Sequence, residues 1–231
     1  MFTNRSYKPE LLDAENIPML DLYLNLIELN TINTLLGGHA VTLKGLKAFN
    51  LKEGIHYTVL DIGCGGGDNL LYLAKWARKN NIRITFTGVD LKVDCINFAE
   101  EKCKEYPEIT FRNCDYRDLL NEDKCYDIIF TALFCHHFME DDLITLFRFK
   151  QQKSKLGFFM NDLHRHVLAY HAIAWLTKLF SNSYLVINDA KLSVARGFKR
   201  TELLALVKPL GSDKMMLKWV WAFRWLLVYK K

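Results

Sequence analysis

The stretch Val59-Leu60-Asp61-Ile62-Gly63-Cys64-Gly65-Gly66-Gly67 constrains this chain more than any other. An apolar run ends in an acid and passes through glycines at alternate positions, 63, 65 and 67, into a segment of helical period. Glycine lets the backbone turn sharply and approach a ligand with no Cβ in the way. The free amides at the start of a helix then face that ligand. One glycine usually suffices for a tight strand-to-helix turn, so three predict a turn built around a bound group.

The rest of the chain repeats the alternation that such a turn requires. Short β-rich runs at residues 57–61, 82–90, 109–114, 126–131 and 157–160 are separated by helical segments at 68–80, 93–105 and 140–153, with Leu70, Leu73, Ala74 and Ala77 spaced three and four apart. This predicts a doubly wound α/β domain with a mostly parallel sheet covered on both faces. A mostly apolar helical stretch, 165–180, follows the fifth strand, then a polar loop with Asn188-Asp189, then a helix opened by Thr201-Glu202. Two closing runs, 214–220 and 222–229, carry Trp219, Trp221, Phe223, Trp225 and Tyr229 at the period of two that strands need, for seven strands in all. The first 50 residues read as helices broken at Gly37-Gly38.

With 231 residues, half of them hydrophobic and a quarter charged, the chain suits one folded domain and neither a disordered nor a fibrous one. We divide it into an N-terminal helical lid (1–54), a cofactor-binding core (55–163), a helical substrate cap (164–200) and a last helix with the C-terminal hairpin (201–231). Net charge is +5, with cations gathered after Arg196: Lys199, Arg200, Lys208, Lys214, Lys218, Arg224, Lys230 and Lys231. They read as a solvated face, too loosely clustered for a nucleic-acid groove. The six cysteines (64, 95, 103, 114, 125, 135) form no CxxC pair. With no apolar signal core after Met1-Phe2-Thr3-Asn4-Arg5, they suggest reduced thiols in a cytoplasmic protein. The stretch 167–180, interrupted by His171 and Lys178, is shorter than the ~20 residues of a membrane span.

Spacing narrows the ligand. Counting from Gly63, the sixth position is Asp68, and from Gly65 it is Leu70, so the dinucleotide pattern G-x-G-x-x-G fails and an NAD reductase is the weaker reading. No Walker lysine is present either. Asp90, ending the second strand in Thr87-Gly88-Val89-Asp90-Leu91, is placed to accept hydrogen bonds from both ribose hydroxyls of an adenosine. Asp115, in Cys114-Asp115-Tyr116, can take an adenine amino group or cap a helix.

In open α/β sheets the ligand lies beyond the carboxyl ends of the strands. The fourth strand leads there to His136-His137, and the fifth to Asn161-Asp162-Leu163-His164-Arg165-His166. Histidine titrates near neutrality and can take a phenol or enol proton. His137 and His164 are the first choices for such a base, with His136 beside them, and Arg165 is a candidate for a substrate carboxylate or enolate. No metal is expected, because His164 and His166 would diverge on a helix.

These residues, Val59 to Gly67, Gly88-Val89-Asp90, Asn113-Cys114-Asp115, and Tyr126-Asp127-Ile128-Ile129 leading to Leu133-Phe134-Cys135-His136-His137-Phe138, resemble the class I S-adenosylmethionine-dependent methyltransferases. The resemblance covers residues 55–162, and the closing hairpin extends it; the Leu-x-x-His-His-Phe element is similar to enzymes methylating quinone precursors and phenolic or polyketide-like molecules. It implies a Rossmann-like methyltransferase fold with S-adenosylmethionine as cofactor. Asp61, Gly63, Gly65 and Gly67 would hold the methionine part, Asp90 the ribose, and Asp115 with Tyr116 the adenine. Thr131, Ala132 and Leu133 would floor the sulfonium, and Cys64 and Leu91 join the cofactor set. The reaction implied is in-line methyl transfer to an oxygen or carbon of a small acceptor, in which the protein positions, excludes water and supplies a base.

If the N-terminal helices (Leu11, Leu12, Met19, Leu22, Leu26) and the insertion (Leu168, Ala169, Tyr170, Ile173, Ala174, Trp175, Leu179, Phe180) cover this edge, the acceptor is apolar or aromatic, with residues 193–198 as a hinge-like return. Oxygen methylation leads, followed by carbon methylation of a quinone precursor and by a non-catalytic cofactor-binding module. A nucleic-acid or protein methyltransferase is disfavoured, since Thr131-Ala132-Leu133-Phe134 replaces the Asn/Asp-Pro-Pro-Tyr/Phe element. Composition sets no oligomeric state.

Overall fold

The computed structural model describes residues 2–14, 16–211 and 215–231. Its helices are α1 (Met19–Leu35), α2 (Gly38–Lys47), α3 (Asp68–Lys79), α4 (Val93–Cys103), α5 (Glu140–Lys153), α6 (Val167–Phe180), α7 (Tyr184–Arg196) and α8 (Arg200–Val207). Its strands are β1 (His56–Ile62), β2 (Arg83–Asp90), β3 (Ile109–Asn113), β4 (Tyr126–Ala132), β5 (Ser154–Leu163), β6 (Met215–Val220) and β7 (Arg224–Lys230). They form one sheet in the order β3-β2-β1-β4-β5-β7-β6. The first five are parallel, and β7 lies antiparallel between β5 and β6. The predicted seven-stranded, doubly wound α/β fold is therefore correct.

Alternation along the central strands builds two core layers, because successive side chains point to opposite faces. Ile129, Phe158, Met160, Trp225, Leu227 and Tyr229 pack with Leu143, Leu146 and Phe147 of α5 and Leu203 and Leu206 of α8. Ile128, Phe130, Phe159, Leu226 and Val228 pack with Leu46 of α2 and Leu70, Leu73, Ala74 and Ala77 of α3. The helical spacing read from α3 is thus the spacing of its buried face.

Three expectations need correction. The segment around Asn188-Asp189 is helix α7, capped by Ser183, whose hydroxyl accepts from the Val186 amide. Its polarity serves a contact, since the Asp189 carboxylate accepts from the Leu11 and Leu12 amides. Residues 193–198 are accordingly the end of α7 and a single parallel bridge, His164 to Phe198, in place of a hinge-like return. Trp221 and Phe223 lie in the turn between β6 and β7, where Phe223 has φ of 52°, so the two-residue period is broken there. Lys214, expected to open β6 and counted among the basic residues, lies outside the described residues. Among those described, no helix is long and apolar enough to cross a membrane.

Candidate active site

The strand order reverses between β1 and β4, and a ligand crevice belongs beyond the carboxyl ends of the strands at that point. A cavity of about 710 Å³ lies there, lined by Gly63, Cys64, Gly65, Asp90, Leu91, Asp115, Tyr116, Ala132 and Leu133 of the expected cofactor set. The turn is pinned by β2: the Gly63 and Cys64 amides donate to the Val89 carbonyl at 2.9 and 3.1 Å, and the Gly65 amide donates to Asp90 Oδ2 at 2.9 Å. At Gly63, φ is +72°, and a Cβ would stand 2.1 Å from Phe134 Cδ2. Both facts demand glycine.

Three members of the cofactor set do not line the cavity. Gly67, with φ of +74°, caps α3 and leaves room for Phe111, so its role is in the turn and its packing. Thr131 is fully buried beneath the floor, where its hydroxyl accepts from Lys150 Nζ at 3.0 Å and lies 3.3 Å from Cys135 Sγ. It serves a buried lysine whose amine burial pulls below its ordinary pKa. Asp61 is buried two residues before the turn, and its Oδ1 has no hydrogen-bond partner among the described residues. Burial and then the neighbouring Asp90 push its carboxyl well above the usual carboxylate range.

An unpartnered carboxylate oxygen behind a glycine cradle, with a second carboxylate alongside, suits a ligand bringing donors and positive charge. S-adenosylmethionine, with its ammonium, sulfonium and ribose hydroxyls, fits that demand. Asp115 is already engaged: it accepts from the Arg117 amide at 2.8 Å and pairs with the Arg117 guanidinium at 2.6 and 2.9 Å. The Arg117 bond holds its carboxyl below the ordinary value. Tyr116 is buried edge-on against Phe138 and Phe149.

The end of β4 is where the histidines matter. Leu133 turns the chain with φ of 53°, and Cys135–His137 form a short 3-10 turn. His137 lines the cavity. Its Nδ1 lies 2.9 Å from Asp13 Oδ1, and its Nε2 lies 4.0 Å from Glu10 Oε2. His136 is buried behind it, with Nδ1 2.7 Å from Asp162 Oδ1 and its amide donating to Asp162 Oδ2. Arg196 ties the corner together, donating to the His136 and His137 carbonyls and to Asp13 Oδ2. Burial pushes the Glu10 carboxyl up to about 7, opposed in part by His137 and Arg196. Burial also works against Asp13, yet the His137 bond and charge hold that carboxyl well below its ordinary value.

Sequence reasoning missed Glu10, Asp13 and Arg196, which stand far from residue 136 along the chain and carry no local signal. Asp162 had one, its place at the end of β5. Leu12, Ile17, Leu22 and Leu26 of the N-terminal segment line the cavity. The insertion does not line it: Leu168, Trp175, Leu179 and Phe180 are exposed, and α7 acts on the site by holding residues 11 and 12 through Asp189 and the His136-His137 corner through Arg196.

The end of β5 takes a different course. His164 does not line the cavity; its amide donates to the Phe223 carbonyl, its Nδ1 accepts from Trp219 Nε1 at 3.2 Å, and its ring packs against Trp225 at 5.1 Å. Burial and then the neighbouring His166 and Arg165 keep its pKa below the usual histidine value. Arg165 is 1% exposed and fully committed, to Glu202 Oε1 and Oε2 at 2.5 and 3.0 Å and to the carbonyls of Phe2, Thr3 and Gly197. It fastens three chain segments and is not placed to meet a substrate. His166 is the N-cap of α6, accepting from the Leu168 amide, so it and His164 do not share a helix.

A family described as a methyltransferase domain matches residues 59–151. The mitochondrial ubiquinone biosynthesis O-methyltransferase of Saccharomyces cerevisiae is 28% identical over 162 residues, 68% of this chain and 48% of that protein. The chain thus spans about half the length of the curated relative it matches. A plantazolicin methyltransferase in complex with a monoazolic desmethylPZN analogue and S-adenosylhomocysteine shares the fold at TM-score 0.64 and 18% identity, over 92% of this chain and 89% of that one. Magnesium protoporphyrin IX methyltransferase from Synechocystis PCC 6803 with bound S-adenosylhomocysteine does so at 0.56 and 15%, over 87% and 84%. The matched methyltransferase core, the sheet order and the glycine turn together agree with the fold of the class I S-adenosylmethionine-dependent methyltransferases.

Proposed function

We propose that this chain transfers a methyl group from S-adenosylmethionine to an oxygen atom of a small, apolar or aromatic acceptor. The observation that carries the reading is one continuous cavity joining the glycine turn and Asp90 to His137. Its walls also carry Leu12, Ile17, Leu22, Leu26, Phe134 and Phe138, an apolar group that suits an aromatic acceptor, alongside polar residues such as Asn33, Asp68, Asn69 and Lys92. Preference for oxygen is supported by the O-methyltransferase matched over 68% of the chain. Carbon methylation of a quinone precursor uses the same cavity and is the second reading.

When bound, the cofactor supplies an electrophilic methyl group. The chain's own contribution is placement: Asp90 for the ribose hydroxyls, Asp61 and the turn amides for the methionine end, Ala132 and Leu133 as floor. Residues 1–54 act as the cover, and 164–200 support it through α7. Among His136, His137, His164 and His166, only His137 lines the cavity, so the acceptor's proton is taken at His137. A positioned base of this kind contributes ~10²–10⁴-fold.

Calorimetric titration with S-adenosylmethionine, S-adenosylhomocysteine and NAD tests the first step. Micromolar binding of the first two, lost in Gly63→Ala, supports the reading; absence of binding, or binding of NAD, overturns it. Transfer of labelled methyl to a panel of phenols tests the second. Cofactor binding with no transfer to any of them would leave a binding module only.

A further inference from the structure

Methyl transfer leaves one feature of the His137 corner unused. Glu10 Oε1 stands 3.7 Å from His136 Nε2, and Glu10 Oε2 stands 4.0 Å from His137 Nε2. Neither separation is a hydrogen bond. The Glu10 side chain is 3% exposed, and its Oε1 has no hydrogen-bond partner among the described residues. A buried carboxylate normally has its oxygens occupied, because desolvating them without a partner is costly.

Both imidazoles are locked from behind. Asp162 takes His136 Nδ1 at 2.7 Å and Asp13 takes His137 Nδ1 at 2.9 Å. A carboxylate only accepts, so each Nδ1 carries a hydrogen and Nε2 is the nitrogen left to act as a ligand. A carboxylate on the far nitrogen is what orients metal-binding histidines. One ring nitrogen of each histidine and one Glu10 oxygen lie within 4.8 Å of one another. Ligands at ~2.1 Å from a shared tetrahedral ion stand roughly 3.4 Å apart, so closure draws the two Glu10 contacts in by about 0.3–0.6 Å and the widest pair by about 1.4 Å at most. Arg196 and Ser193 are the rival partners for Glu10: Arg196 has Nε 3.8 Å from Oε1 but sends its hydrogen bonds to the Lys8, His136 and His137 carbonyls and to Asp13, and the Ser193 hydroxyl, which also acts on the Glu10 carboxyl, donates to the Asp189 carbonyl.

We propose that Glu10, His136 and His137 bind one divalent transition-metal ion of the zinc class, with Asp162 and Asp13 as outer carboxylates. Two imidazoles and one carboxylate suit Zn²⁺, Co²⁺ or Fe²⁺ and not the oxygen-seeking Mg²⁺ or Ca²⁺. Three protein ligands leave a position open. Its use rests on the proposed methyl transfer: the acceptor hydroxyl takes that position and loses its proton to water. The oxygen keeps the O–H electron pair and bonds to the methyl carbon, while the breaking C–S pair returns to sulfur. The ion then takes over the task given above to His137 alone.

The test uses the full chain, freed of metal with a chelator and titrated with Co²⁺ and Zn²⁺ by calorimetry and by the visible absorption of Co²⁺, with Mg²⁺ as control. Expected are one Co²⁺ per chain, displaced by Zn²⁺, at least a 100-fold weakening in Glu10→Gln and His136→Ala, and a 10–100-fold weakening in Asp162→Asn. His164→Ala should bind as the parent does. If His136→Ala does not fold, the isosteric Glu10→Gln still decides. No uptake of Co²⁺ or Zn²⁺, or equal uptake by Glu10→Gln, overturns the site. Full methyl transfer by ion-free protein overturns this inference and leaves the proposed function standing, whereas a bound ion without methyl transfer to any acceptor leaves this inference and faults that function.

Discussion

The carboxyl ends of β4 and β5 are neighbours in the sheet, and each is followed by histidines; they are used in opposite ways. After β4, the His136-His137 pair meets Glu10 and Asp13 from the N-terminal segment, beside the cavity. After β5, His164 packs into the aromatic turn of the hairpin, and Arg165 is consumed by Glu202 and three backbone carbonyls. Residue type and place in the sheet are alike at the two ends. What differs is the cover: an acidic segment that sets a buried carboxylate facing two imidazole nitrogens, against an aromatic turn and a helix start that engage the His164 and His166 Nδ1 atoms and bring no carboxylate to them. A titratable side chain at an active edge acquires chemistry only where its neighbours leave an atom unspent.

Mutations at the two ends should separate accordingly. The largest effect is expected from His137→Ala, which should lower methyl-transfer turnover by ~10²–10⁴-fold while S-adenosylhomocysteine affinity holds within about threefold. Single-turnover rates and calorimetry check the two halves, and an unchanged rate would erase the distinction drawn here. Arg165→Met comes next: it strips the bonds of a buried guanidinium and should cost ~3 kcal/mol in denaturant unfolding. A loss of turnover with no loss of stability would return Arg165 to the substrate.

Smaller effects refine the β5 side. Burial raises the Glu202 carboxyl, but the Arg165 bond and the Lys199 amide outweigh it, leaving a folded-state pKa below the ordinary value. A depressed carboxyl stabilises fully above its unfolded pKa of ~4.3 and loses that contribution as pH falls toward its folded pKa. Glu202→Gln should therefore flatten the acid limb of the stability–pH profile, measured by unfolding midpoints from pH 6 to 3. His164→Ala should be the mildest, costing ~1 kcal/mol through its contacts with Trp225 and Phe223 and leaving turnover unchanged. A tenfold fall in turnover would make the two ends alike after all.

Much of this molecule was legible in one dimension because its signals are local. Alternating apolar runs gave the strands, since the two-residue period of a strand and the 3.6-residue period of a helix are written in neighbouring residues. The turn from Asp61 to Gly67 was readable because positive φ and close approach call for glycine within a few positions. Asp90 followed as the next strand's end. The expected loop at Asn188-Asp189 is helix for the opposite reason: Asn188 and Asp189 weaken a helix locally, and the contact that uses Asp189 lies 178 residues away at Leu11.

By itself, then, the sequence determined the doubly wound sheet, the glycine cradle and the likeness to a methyltransferase core, all encoded by residues adjacent in the chain. Tertiary structure alone decided which histidine reaches the cavity, that Arg165 is a fastener, and that Glu10 is buried between two imidazoles with an oxygen to spare. Those facts depend on which segment comes to rest on which strand end. That is set by packing over the whole domain, and no short window of sequence records it.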